Sequence, residues 1–183
     1  LQDGVPSREL WRRLSACASD PVVGVRYQLA FSLGEIRHPE RLGVLAQITR
    51  RDAAEPMMRA AVLSSLAEGA GAMFSLLASE TGALATATGR PEILRELAAV
   101  VGAANQPVDL ARVRKALVST RDPLVAFPLA CGLGDGLRRA GSSFEKAGVD
   151  LESLLGRAAA TAHDAQAPAS TRLEAVALLA FGP

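Results

Sequence analysis

Between Asp20 and Gly34 the chain reads DPVVGVRYQLAFSLG, and its apolar positions fall at helical steps. Val22, Val25, Leu29, Leu33 and Ile36 recur three and four residues apart, the spacing of one face of an α-helix. Tyr27 and Phe31 add a second apolar face, so the pattern predicts a helix covered on both sides by neighbours. Asp20 suits the helix start because its carboxylate accepts from backbone N–H groups that have no partner within the helix. Pro21 follows where a missing N–H costs nothing. Arg26 is the one charged side chain within the apolar run.

The same pattern returns along the chain. A shift of about one helical hairpin lays Arg59 on Arg26, Val62 on Leu29, Leu66 on Leu33 and Glu68 on Glu35. In Leu124–Gly134, Val125, Leu129-Ala130 and Leu133-Gly134 take the places of Val25, Leu29-Ala30 and Leu33-Gly34, with Ala126 at the arginine position. Near the C-terminus Arg172, Ala175 and Leu179 overlie Arg26, Leu29 and Leu33. Recurrence on this scale predicts a solenoid, in which each unit buries its apolar face against the next.

The remaining segments read as helices too. Ser7 caps a helix from Arg8 to Ala18 with Leu10, Leu14 and Cys17 inward and Trp11 beside them. Helices follow from Pro39, from Glu55-Pro56, over Met73–Leu77, from Pro91 to Val101, from Leu110 to Ser119 with Asp109 as cap, and from Asp122-Pro123. Asp150 caps another, and the last begins at Pro168–Thr171. No stretch alternates long enough to argue for a strand, so the fold class is all-α: a right-handed α-solenoid of antiparallel helix pairs. Residues 1–183 form one domain, with a loop or sub-boundary near 81–90, where TGALATATGR lacks a periodic stripe.

The stretch DPVVGVRYQLAFSLGEIRHPERLGVLAQI and the following EPMMRAAVLSSLAEG resemble HEAT repeats. The matching features are an Asp before the second helix, a Val-Arg pair in its first turn, then apolar-Ala, Leu-Gly and a Pro-containing turn. The wording is also similar to the HEAT-like region of large planctomycete-type membrane-bound dehydrogenases, which pair a propeller with a c-type haem domain. The resemblance implies a bacterial protein of the periplasm or cell envelope, and a non-catalytic scaffold that holds neighbouring domains or a protein partner. It also implies a structural ladder at Asp20, Arg26, Asp52, Arg59 and Arg172, each Arg reaching a neighbouring Asp or a helix-end carbonyl. A guanidinium fork suits a carboxylate, and a charge removed from water needs such a partner.

Composition narrows the chemistry further. A net charge of +1 with neutral histidines gives no overall field to attract anions. Arginines come in pairs at Arg12-Arg13 and Arg50-Arg51, at Arg112 and Arg114, and at Arg138-Arg139, but acids are interleaved and aromatics for base stacking are few. A HEAT-like nucleic-acid-binding or DNA-glycosylase-like protein is therefore the alternative to the scaffold. Cys17 and Cys131 are not in a CxxC pair, so neither a zinc site nor haem attachment is encoded, and two buried thiols are favoured over a disulfide. His38 and His163 are the only histidines, too few for a metal or acid–base cluster. Gly132-Leu133-Gly134-Asp135-Gly136 does not follow a strand, which fails the context for dinucleotide binding; these glycines either allow close helix packing or end the helix. No catalytic residue, metal or cofactor is expected.

No apolar run is long enough to span a bilayer. Leu1 and Phe181-Gly182-Pro183 read as the cut ends of a larger protein. Val176 and Leu179 share one side of the last helix, and Leu178 and Phe181 another. A single preceding helix can cover only one of these, so weak self-association is expected through the C-terminal end, with Leu178 and Phe181 on the open side.

Overall fold

The computed structural model describes residues 5–79 and 88–182. Among the described residues the regular structure is helical, with no strand. The chain divides into two compact units, Leu1–Arg90 and Pro91–Pro183. Most of the 81–90 stretch expected as a loop or sub-boundary lies outside the described residues.

The first unit contains α1 (Arg8–Ala16), α2 (Val23–Ser32), α3 (Arg41–Asp52), α4 (Pro56–Ser64) and α5 (Ala70–Ala78). Short 3-10 turns extend α1 over Cys17–Ser19 and α2 over Leu33–Glu35. Ser7 caps α1 by accepting from the Leu10 N–H at 3.3 Å, and Pro56 occupies the first position of α4. Gly69, in the left-handed region with φ +94°, turns the chain into α5. Helix α2 packs on α4 and α3, and α3 packs on α4 and α5. Leu33, Leu45, Ile48, Met58, Leu66, Met73, Phe74 and Leu77 fill the resulting core.

Several sequence expectations change here, the first at the start of α2: the helix begins at Val23 behind Val22, so Asp20 and Pro21 precede it and are not its cap and first residue. Only the C-terminal part of the α2 stripe is inside: Leu29, Leu33 and Ile36 are buried, whereas Val22 and Val25 are exposed. Phe31 on the second face is 49% exposed, so α2 is not covered on both sides. On α1 the inward residue is Trp11 rather than Leu10, which is exposed. Trp11 stacks on His38 with ring centroids 3.7 Å apart and donates its indole N–H to Glu40 Oε2 at 2.9 Å. A ring that finds both a flat partner and an acceptor turns inward in preference to a leucine that finds neither.

The second unit contains α6 (Arg90–Ala104, of which Arg90 belongs to the first), α7 (Pro107–Ser119), α8 (Pro123–Arg139), α9 (Leu151–His163) and α10 (Ala169–Leu179). Helix α7 starts at Pro107, so Asp109 is not its cap; it lies in the first turn and pairs with Arg112. Asp122 and Asp150 do cap, accepting from the Leu124 N–H at 2.9 Å and the Ser153 N–H at 3.1 Å. Helix α8 packs on α7 and α10, and α10 packs on α9.

The glycines of α8 sit inside the helix and serve close packing. A Cβ at Gly132 or Gly136 would collide with the Arg95 and Ala99 carbonyl oxygens of α6, and one at Gly102 would lie 2.7 Å from the Leu133 carbonyl oxygen. The α6 and α8 backbones therefore touch along a seam with no side chain between them. At Gly156 of α9, by contrast, an added Cβ meets nothing within 4 Å.

This contrast sets a test. Gly132→Ala or Gly136→Ala should destabilise by about 1–3 kcal/mol through overpacking. Gly156→Ala should stabilise by about 0.5–1 kcal/mol, the ordinary gain of replacing a helical glycine. Urea unfolding of the three variants checks both signs; stabilisation at Gly132 and Gly136 would show that no such seam exists.

Candidate functional site

The most constrained polar group in the first unit is Arg26. Its position three residues into α2 aims the side chain inward, and only 4% of the residue is exposed. Nε donates to Asp52 Oδ2 at 2.7 Å and Nη2 donates to Asp52 Oδ1 at 2.6 Å, a two-pronged pair with both side chains buried. Nη1 donates to the backbone carbonyls of Asp20 at 2.6 Å and Pro21 at 3.2 Å. The guanidinium pKa is raised, chiefly by the Asp52 hydrogen bonds, which outweigh the opposing effect of burial. With four hydrogen bonds made from all three nitrogens, this arginine holds the start of α2 to the end of α3.

The other positions expected in the ladder have partners within their own units. The Asp20 carboxylate takes the Val22 N–H at 2.8 Å, and its carbonyl serves Arg26. Arg59 of α4 donates to the carbonyls of Ala53 at 2.9 Å and Ala54 at 3.4 Å. Arg172 of α10 is exposed and reaches the Ala162 carbonyl at 3.4 Å.

Sequence reasoning missed a further arginine of this kind. Arg41 of α3 donates to the Ser65 carbonyl at 3.2 Å and the Glu68 carbonyl at 3.1 Å, gathering acceptors left open beyond the end of α4. Ser65 is buried and donates to the Ala30 carbonyl at 2.7 Å. Neither residue carries a local sequence signal, because both bonds cross between helices.

In the second unit Arg95 of α6 spans both carboxylate oxygens of Glu174 at 3.1 Å and lies 3.9 Å from Asp135. Asp135 also accepts from Arg138 at 2.6 Å. Cys131 is buried beside this group, its thiol pushed up to about 11 by burial first and by Glu174 second. That thiol stays protonated near neutral pH and is a poor nucleophile. Both cysteines are free; Cys17 is only half-buried, because the face of α1 that turns inward is the Trp11 face.

His38 lies in the Trp11 stack, and its Nδ1 accepts from the Glu40 N–H at 3.2 Å. His163 is exposed at the end of α9. Among the described residues no group of three His, Cys, Asp or Glu side chains is placed to hold a metal. Among them, too, no helix is long and apolar enough to cross a membrane. No family model, no curated protein and no solved structure matches the chain.

The buried pair predicts an asymmetric mutational response. Arg26→Ala leaves the Asp52 charge buried without its partner and should cost about 3–5 kcal/mol. Replacing both residues together by Met and Leu should recover most of that loss, since an apolar pair of similar volume leaves no orphaned charge. A double-mutant cycle in urea measures this; equal losses in the single and double variants would show that Asp52 does not depend on Arg26.

Proposed function

We propose that the chain is a non-catalytic HEAT-like repeat module, a right-handed α-solenoid of antiparallel helix pairs that holds a protein partner or neighbouring domains in register. The observation that supports this is one arginine device used twice. Arg26 bonds the carbonyls six and five residues before it, Asp20 and Pro21. Arg59, 33 residues later, bonds the carbonyls six and five residues before it, Ala53 and Ala54. An interval of this size is one helical repeat, and the recurrence covers backbone geometry as well as residue type.

The neighbours in this reading are those that the resemblance implies, a propeller dehydrogenase and a c-type haem domain in the cell envelope. Reading the gene beyond residue 183 for a CxxCH motif tests that context directly. The arrangement of the paired arginines favours a scaffold over a nucleic-acid surface. Arg12 and Arg13 both bond Glu9, Arg112 bonds Asp109, Arg138 bonds Asp135, and Arg51 turns to the Ser19 and Asp20 carbonyls. Gel shift with duplex and single-stranded DNA at about 50 mM salt should show no saturable complex at micromolar protein. A complex whose affinity falls steeply with salt would instead establish the nucleic-acid alternative.

Self-association through the C-terminal end belongs to the same proposal, with its residues corrected. Leu178 is buried, and Phe181 is half-buried, set edge-on to Phe144 with Arg138 4.4 Å above its ring. The open side of α10 is instead Leu173, Val176 and Leu179. Those residues are exposed, so they are the ones available to a second copy. Light scattering over a concentration series should show mass rising above the monomer, and Leu173→Glu with Val176→Glu should abolish the rise. A concentration-independent mass, or a rise unaffected by the substitutions, would remove this part of the reading.

A further inference from the structure

Within the second unit, the C-terminal half of α7 and the first turns of α9 enclose an open concavity. Its lining carries three arginines, Arg114, Arg121 and Arg157, against a single acid, Asp150. That acid is engaged, accepting from the Ser153 N–H at the start of α9. Glu152, the other acid on that turn, is exposed and outside the lining. We propose that this concavity binds a phosphate monoester.

These arginines differ in pairing from three others of the unit. Arg95, Arg112 and Arg138 each pair with a carboxylate. Arg114 and Arg121 have no carboxylate partner among the described residues, and both are exposed. Arg157 is half-buried and already oriented: Nη2 donates to the Arg121 carbonyl at 3.0 Å, and its guanidinium lies 6.0 Å from the Phe127 ring centre. Gly148 has φ +67°, and Arg114 Nη1 sits 2.7 Å from where a Cβ on it would stand, so the absence of a side chain there lets the guanidinium lie against the loop.

Charge selects the ligand class. Three guanidiniums against one carboxylate leave two positive charges unbalanced, which matches a phosphate dianion better than a carboxylate monoanion satisfied by one fork. The start of α9, capped by Asp150, adds the positive end of a 13-residue helix dipole on the same side. The floor is apolar: Leu117 and Leu154 are both buried in the lining. A ligand that satisfies both features carries its phosphate on an organic body, which makes it an ester rather than the free ion. This inference is independent of the repeat reading.

The probe is phenyl phosphate, titrated into the isotope-labelled chain and followed by the amide resonances of Gly148 and Ser153. Saturable shifts there with a Kd below about 1 mM are expected. Inorganic phosphate, which cannot reach the apolar floor, and benzoate, which carries one charge, should each bind at least about tenfold more weakly. Arg114→Gln and Arg157→Gln should each weaken phenyl phosphate about tenfold or more, with other resonances unmoved. Arg114 is exposed, so its variant carries the comparison should Arg157→Gln fail to fold. Absence of saturation at 10-fold the expected Kd, equal binding of benzoate or of inorganic phosphate, or unchanged affinity in Arg114→Gln would each overturn the proposal.

Discussion

Arg26 is the constraint on which the first unit depends. A guanidinium out of water is tolerable only if it is well paired, and here each of its three nitrogens donates, to partners from two directions. Asp52 comes from the end of α3, and two carbonyls come from the turn that leads into α2. Satisfying one side chain thus fixes the relation of two helices and the path of the loop before one of them. Because the bonds are directional, they set register in a way that the surrounding leucines and alanines cannot.

Arg59 and Arg41 extend this logic through backbone carbonyls. Each takes backbone carbonyls at a helix end, where the helix leaves acceptors open. A core built mainly from small and aliphatic residues slides easily, since many offsets bury similar area. Arginines tied to named carbonyls remove that freedom, and their weak hydration makes them better suited than lysine to the task. The near-absence of lysine, only Lys115 and Lys146, is consistent with this use.

Much of the fold was legible because it is local. Apolar residues at steps of three and four, Ser7, Asp122 and Asp150 as caps, and Pro56 at a first position all act within one turn of helix. Arg26 stood out because a charge in an apolar run demands a partner, but that its partner is Asp52 depended on how α2 and α3 meet. What could not be read depended on contacts between helices. Trp11 displaced Leu10 from the inner face because His38 and Glu40 happened to lie opposite it. Asp109 looked like a cap, but Pro107 started the helix two residues earlier. The concavity between α7 and α9 gathers Arg114, Arg121 and Arg157 from 44 positions of sequence, counting from first to last, with no shared motif to announce it.

The glycines of α8 have an implication for how that helix comes to exist. Three glycines and Pro128 fall within its 17 residues. Each glycine weakens an isolated helix by roughly 1 kcal/mol relative to alanine, and an interior proline by about 3 kcal/mol. As a free peptide this segment would be coil. Its helicity is therefore a property of the α6 surface as much as of its own sequence, since two of the absent side chains that weaken it alone, at Gly132 and Gly136, are what let the two backbones meet. Formation and docking of α8 become a single event, and the second unit has no stable intermediate in which α6 is in place and α8 stands beside it, folded but undocked.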